Sequence, residues 1–439
     1  MVKKEKNIIT GIDIGTKEIK LVVAEKKKDS VIILDLKKTA SKGIRKGKIV
    51  DSPPVVESIR KVLDESERNL GFPIESAYVA YGGHFIKEYE RKVELNLDSK
   101  RRRIVFSDIK EAMNLALEDV ESIGNVIHAF SIDYGVDNEW GIENPIGREA
   151  SLLKMHLFVL EGNKEEIEIA SSCAERAGLK VKGIFHKSVI SPFGCFSSKP
   201  DELVLYVDLG AGTTTASLLK GTKVLNVDIY PVGGSHITSD LSYILRIPLE
   251  KSEALKKIVS INEPEENLDD ELEFEVNGEK IVCRVGDVVE IIKHRIEELF
   301  IDLILNDLQR KKSLDYPSFS KIVISGGVSK MQGLPTFIQN LCGIPVEIGL
   351  PALDMPENER GSDNVSIAGL INYTIFKEAH PYAILNSCIG GGAISFDEED
   401  PVFNSSIAEK VRKAKQKRFK GQQVKKVIAT FKKVIKELF

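Results

Sequence analysis

Apolar residues near the start of the chain come in short runs separated by turn residues, at 7–14, 19–25 and 31–37. Runs of this length, rich in Ile and Val, predict three strands in a meander. Val55, Val56, Ile59 and Leu63 then share one face of a helix that opens at Ser52-Pro53-Pro54, with Asp51 placed to cap it. The order repeats about 195 residues later: 203–208, 213–220 and 223–230 read as strands, and Gly233-Gly234-Ser235 leads into a helix. Two copies of one strand-strand-strand-helix unit predict an internally duplicated α/β protein with a cleft between its halves.

The segments between these units differ in character. Residues 89–107 are charged, with a basic run at 100–103, and read as a solvated strand edge or loop. Helical periodicity covers 108–121, and 262–279 is acidic and suits an exposed loop or hairpin. Residues 288–309 carry apolar side chains at helical spacing over about six turns. After Lys377 the pattern lapses: Pro381, Gly390-Gly391-Gly392, Pro401 and Asn404-Ser405-Ser406 mark 378–408 as a linker.

Periodicity returns at the end of the chain. Val424, Val427, Ile428, Phe431, Val434, Ile435, Leu438 and Phe439 form one continuous helical stripe, with Lys425, Lys426, Lys432, Lys433 and Lys436 on the flanks and far side. An apolar face beneath a lysine-rich one predicts a helix lying in the surface of an anionic membrane, where each lysine contributes roughly 1 kcal/mol. The alternative is a terminal helix docked on the protein's own core or in a partner's groove.

Charge sharpens that contrast. The net charge of the 439 residues is −4, but residues 409–439 hold twelve Lys or Arg and two acidic residues, a net of +10. The remainder, with 50 basic and 64 acidic residues, carries −14, which argues against nucleic-acid binding by the body. A composition of 42% hydrophobic and 29% charged residues excludes a mainly disordered or fibrous chain, and the length predicts two to four structural units. The five cysteines are scattered without a C-x-x-C pair and read as reduced thiols of a cytosolic protein. No targeting segment is expected, and no apolar run approaches the roughly 20 residues of a membrane span.

Three glycine sites carry the candidate chemistry. The first hairpin reads Gly11-Ile12-Asp13-Ile14-Gly15-Thr16. Its glycines permit a tight turn with inward N–H groups, Thr16 adds a hydroxyl, and Asp13 is suited to Mg²⁺, directly or through water. The second, Asp208-Leu209-Gly210-Ala211-Gly212-Thr213-Thr214, repeats the recipe. One such loop is an ordinary turn, whereas two at equivalent places in a duplication suit a polyphosphate gripped from both sides. Neither a Walker nor a Rossmann glycine motif is present. The third site ends an apolar strand at Ser325-Gly326-Gly327-Val328, where backbone can approach a flat adenine or ribose. No two histidines sit at metal-binding helical spacing, and His236 reads as a capping or core residue.

In this order the three sites resemble the actin-like ATPase superfamily and, within it, the FtsA family of bacterial cell-division proteins. Residues 41–47 ahead of the Val56-Glu57-Ser58-Ile59-Arg60 helix, 141–147, 231–238 and 252–256 are also similar to that family. The resemblance covers roughly 7–377 and the tail. It implies an α/β fold of two lobes around a nucleotide cleft: subdomain 1A at 7–82 and 163–200 with a return near 365–377, an FtsA-type 1C at 83–162, 2A at 201–232 and 320–364, and 2B at 233–319. A flexible linker at 378–421 and an amphipathic helix at 422–439 would follow.

The resemblance further implies ATP and Mg²⁺ in the cleft, the metal near Asp13 and Asp208, further cofactor contacts at Gly233 and Gly234, and the adenosine near Glu253 and Lys256. That last pair otherwise reads as a surface i,i+3 ion pair. The implied role is to polymerise head to tail and tether filaments of the tubulin-like protein FtsZ, through its C-terminal tail on 2B, to the cytoplasmic face of the membrane at the division site. A pilus-assembly relative shares the core without the basic terminus. A small-molecule kinase would need an acceptor site and has no use for the tail, and a chaperone would need a substrate domain. Two departures stand out. Thr215 occupies a place often held by Asp, and Pro192 aligns with a Glu or Gln that orients water. Proline's side chain neither donates nor accepts, so slow or negligible hydrolysis is expected.

Overall fold

In the computed structural model, which describes residues 7–380 and 384–387 apart from 29, 84, 98–100, 119–125, 197–201, 222, 277 and 313–318, two five-stranded sheets share one topology. In the first, Ile8–Ile14, Glu18–Lys26 and Val31–Ala40 form an antiparallel meander, and Ser76–Tyr81 and Lys180–His186 add in parallel on the other side of Ile8–Ile14. In the second, Leu203–Leu209, Thr214–Lys220 and Lys223–Tyr230 form the meander, and Lys321–Ser325 and Val346–Ile348 add in parallel beside Leu203–Leu209. The duplication legible in the sequence is therefore a duplication of sheets. Their inner strands are covered on both faces, which is why they read as apolar runs rather than strict alternations.

The helix Ser52–Leu70 buries Val55, Val56, Ile59 and Leu63 and ends at Gly71, whose φ of 74° suits a residue without Cβ. Asp51 holds the N-cap position, but its side chain makes no capping bond. A cap side chain binds the second or third N–H of the helix. Here those positions are Pro53 and Pro54, which have none.

The two halves meet through a pair of helices, Lys187–Cys195 and Val365–Ala379, rather than through sheet edges. They cross at glycines: a Cβ on Gly194 would meet the backbone nitrogen of Gly369 at 2.7 Å. Asn372 Nδ2 donates to Phe193 O at 2.9 Å beside the crossing. One buried cluster joins Ile9 and Val22 of the first sheet, Ile190, Phe193, Leu370 and Tyr373 of the helix pair, and Val204, Tyr206 and Leu219 of the second sheet. The halves thus share an interior.

A further sheet of five strands runs in the order Glu139–Ile142, Val126–Val136, Leu152–Gly162 and Ile86–Asn96, with Ile384–Ser387 also paired to Val126–Val136 and the helix Phe106–Leu117 packed on it. It is tied to the rest by His128. Its Nε2 accepts the N–H of His186 at 2.9 Å, which leaves Nδ1–H to donate to the Tyr373 hydroxyl, also at 2.9 Å. Burial pushes both His128 and His186 down in pKa, His186 to about 4, so both rings are neutral.

Other segments refine the sequence reading. The charged stretch from Tyr89 belongs to an edge strand, Ile86–Asn96, paired along its length with Leu152–Gly162. The acidic segment after Asn262 holds a short 3-10 turn and then enters the hairpin Glu271–Val276 and Glu279–Arg284. The single helix expected over 288–309 is helical throughout but changes pitch, from α over Val285–Glu297 to π over Glu298–Leu305 and back to α over Asn306–Lys312. The wider turn keeps Leu299, Phe300, Ile304 and Leu305 on the buried side. The linker expected from Glu378 is corrected in part. The helix reaches Ala379, and Ile384–Ser387 pairs antiparallel with Val126–Val136, giving an otherwise irregular stretch a sheet edge to satisfy its backbone. The remainder of that linker and the stripe at 424–439 lie outside the described residues.

Candidate functional site

The two glycine hairpins close identically. Gly15 N–H donates to Glu18 O at 3.1 Å and Gly210 N–H to Thr213 O at 3.0 Å. A Cβ would meet the same oxygens at 2.6 and 2.7 Å, so each turn excludes a side chain for the same reason. The hairpins face one another: a Cβ on Gly212 would meet Thr16 Oγ1 at 2.7 Å, and Thr16 Oγ1 accepts the N–H of Gly47. Between them lies a cavity of about 770 Å³, within the size range of small-molecule sites.

The second hairpin also seats a helix. Gly234 and Ser235 donate their N–H groups to Gly210 O and Ala211 O at 2.9 and 2.8 Å, so the start of Gly234–Leu245 is fastened to the turn. Gly233 N–H donates to His236 Nδ1 at 3.1 Å, which makes His236 a capping residue, in line with the sequence reading. Gly326, at φ 84°, turns the chain at the end of Lys321–Ser325, and a Cβ on Gly327 would meet nothing within 4 Å. The backbone there is open to a ligand. Val328 packs beside Gly234.

Asp13, Gly15, Thr16, Asp208, Gly210, Gly212, Thr213, Gly234, Glu253, Lys256, Gly326, Gly327 and Val328 all line this cavity. Three expected residues stand behind the wall. Gly11 lies against Leu370 and Val22, where a side chain would clash with the helix Val365–Ala379. Thr214 is buried and donates to Val232 O. Gly233 is held against Gly210 O and Ala211 O. Thr215, the residue found in place of Asp, does line the cavity, on the strand position opposite Asp208.

Charges fill the floor and mouth. Asp13 and Lys20 are cross-strand partners, and Lys20 Nζ donates to Asp363 O at 2.5 Å and Asn364 Oδ1 at 2.9 Å. Burial lowers the Lys20 ammonium and raises the Asp208 carboxyl. The ammonium of Lys187 pairs with Asp13. At the mouth, Lys256 donates to Gly234 O at 2.9 Å, to Thr238 Oγ1 at 2.7 Å and to Glu253, while Lys17 reaches Glu253 Oε1 from the opposite hairpin at 2.8 Å. Burial alone would raise the Glu253 carboxyl, but hydrogen bonds from Lys17, Lys256 and Thr238 bring it down to about 2. The i,i+3 pair is therefore real and also faces the cavity.

The expectation for Pro192 is corrected. It is buried inside the helix Lys187–Cys195, away from the cavity. The segment 186–193 presents Lys187 instead, because the first residue of that helix, not its interior, faces the cleft. Lys17, Lys20, Lys187, Lys330 and Asp363 were not singled out from sequence. Lys20 had a signal there, as a charge inside an apolar strand run opposite Asp13.

A nucleotide fits this cradle: glycine turns with inward backbone, an open face at Gly327, and ammonium groups around both. A divalent cation fits less well. Lys187 already holds Asp13, and among the described residues no group of three or more His, Cys, Asp or Glu is arranged to hold a metal.

The family model described as "Cell division protein FtsA" matches residues 205–371, which span the second sheet, its hairpin and the turn at Gly326. Over that span the chain is similar to the FtsA family. The Cell division protein FtsA of Bacillus subtilis is 27% identical over 352 residues, covering 78% of this chain and 79% of that protein. The FtsA of Pseudomonas aeruginosa is 25% identical over 409 residues, covering 89% and 94%. Among solved structures, the PilM-PilN type IV pilus biogenesis complex aligns with a TM-score of 0.58 at 16% identity, covering 84% of this chain and 98% of that one. That likeness shows the actin-like fold.

Proposed function

We propose that this protein is a member of the FtsA family, binds ATP between its two glycine hairpins and links FtsZ filaments to the cytoplasmic face of the membrane at the division site. The observation that carries the nucleotide reading is the pair of identically closed hairpins facing one another across the cavity. The phosphates would lie between the turns at Gly15 and Gly210, and the adenosine beside Gly327 with Glu253 and Lys256 over it. Asp13 and Asp208 face the phosphates from the two hairpins, with Asp13 paired to Lys187. Slow hydrolysis is supported by the one side chain that 186–193 contributes to the cavity, an ammonium with no acceptor capacity.

In this reading subdomain 1A is built on the first sheet, 2A on the second, 2B from 233–319, and 1C on the four strands of the further sheet that lie within 83–162. Among the described residues no helix is long and apolar enough to cross a membrane. Attachment is supported by the stripe at 424–439 and its lysines, which together with the basic residues upstream offset the acidic body. Tyr243, Ile244, Leu249 and Ile258 expose apolar surface on the 2B helices, where the FtsZ tail would dock. Head-to-tail filaments of the protein itself complete the proposal.

The test is a pull-down with the C-terminal FtsZ peptide together with calorimetric titration of ATP into the purified full chain. Saturable binding of both is expected. Loss of peptide binding in a folded, ATP-binding protein would favour the pilus-type role, and absence of ATP binding would refute the cleft assignment.

A further inference from the structure

Six lysines around the cavity can be sorted by what their ammonium groups already do. Lys20 is spent on Asp363 O and Asn364 Oδ1, Lys256 on Gly234 O, Thr238 and Glu253, Lys17 and Lys257 on Glu253, and Lys330 on Asp363. Lys187 differs. It starts the helix Lys187–Cys195 and runs past Gly82, and its Nζ lies 3.5 Å from where a Cβ on Gly15 would stand. The ammonium therefore sits at the tip of the first phosphate hairpin. Its partner among the described residues is Asp13, and the side chains are only 15% and 7% exposed. The charge of Lys187 also acts on Asp208, the matching carboxylate of the second hairpin.

An ammonium carries three donors. Besides its ion pair with Asp13, that of Lys187 has donors to spare for acceptors in the cavity it lines. Magnesium in such a site needs oxygen or water ligands in near-octahedral geometry. The Asp13 oxygen such an ion would use is paired with the Lys187 ammonium. Glycine 15 leaves no side chain between the ammonium and a phosphate.

We propose that the ammonium of Lys187 takes the role beside the nucleotide phosphates that a divalent cation would otherwise fill, so that this cleft binds ATP with little dependence on Mg²⁺. The inference rests on the nucleotide reading above. It concerns affinity and makes no claim on hydrolysis.

The test is equilibrium titration of the full chain with ATP, in excess Mg²⁺ and in excess EDTA, for the wild type and Lys187→Met. For the wild type the dissociation constant is expected to change by less than about fivefold on chelation, a difference of about 1 kcal/mol. A larger loss overturns the inference while leaving the nucleotide reading intact. Lys187→Met is expected to bind weakly in EDTA and to recover affinity when Mg²⁺ is added; equal binding by the variant and the wild type in EDTA also overturns it. The wild-type comparison needs no variant, so it stands even if Lys187→Met fails to fold. No ATP binding in either condition removes the nucleotide reading and this inference together.

Discussion

Lys17 Nζ meets Glu253 Oε1 at 2.8 Å across the mouth of the cleft, joining the first hairpin to the helix Leu249–Ile258 of the other half. The lysine side chain is 56% exposed and the carboxylate 27%. A pair that open is screened by salt and adds less than about 1 kcal/mol. It is a latch on the mouth rather than a support of the fold.

Removing the latch should therefore change traffic through the cleft more than stability. Lys17→Ala is predicted to unfold in urea within about 1 kcal/mol of the wild type. Its release of a fluorescent ATP analogue at low salt should be several-fold faster. Raising the salt should speed release from the wild type and leave the variant nearly unchanged. Stopped-flow chases at two ionic strengths check this, and identical salt slopes would refute it.

The helix crossing at Gly194 and Gly369 should be intolerant of added volume. A methyl at Gly194 would press on backbone, which cannot rotate out of the way as a side chain can. Gly194→Ala is predicted to lower the free energy of unfolding by about 1–3 kcal/mol, as overpacked interiors do. Gly71→Ala makes a useful contrast, since nothing surrounds that position and only its positive φ is strained. Urea midpoints should order wild type above Gly71→Ala above Gly194→Ala.

His128 and His186 predict a specific acid sensitivity. Both are lowered by burial, His186 to about 4 from an ordinary value near 6.5. Between those values the unfolded chain takes up protons that the folded chain refuses, so stability falls as pH drops from about 6.5 towards 4. His186→Asn should be less stable at pH 7.5 yet show a shallower decline over that interval. Unfolding midpoints across pH 4–8 measure it, and parallel curves would assign the decline to other groups.

The terminal stripe makes a separable prediction. Deleting 422–439 should abolish co-sedimentation with anionic liposomes and leave ATP affinity unchanged. Binding to neutral phosphatidylcholine vesicles should be weak even for the full chain, because the lysines would find no partner there. Undiminished sedimentation of the truncated chain would move the anchor elsewhere.

What the sequence revealed was mostly local. The duplication was visible because each meander strand writes its burial into a run of Ile, Val and Leu, and because Gly15 and Gly210 obey the same turn geometry. Thr214 and Gly11 belong to those motifs but face the interior, a difference that depends on which side of a strand meets the cavity. Lys187 was hidden for another reason. Its importance comes from a helix start brought against a hairpin far earlier in the chain, and aligning that segment by family pattern pointed to Pro192, one helical face away from the cleft. The strand Ile384–Ser387 was masked by the prolines and glycines around it, since its pairing is supplied by Val126–Val136 rather than by its own composition.

The helix Lys187–Cys195 has its first residue on Asp13 and its Gly194 on the crossing between the halves. At 1.5 Å per residue those two points are about 10 Å apart along one helix. A single short element therefore carries both a charge beside the first hairpin and the tightest backbone contact between the halves.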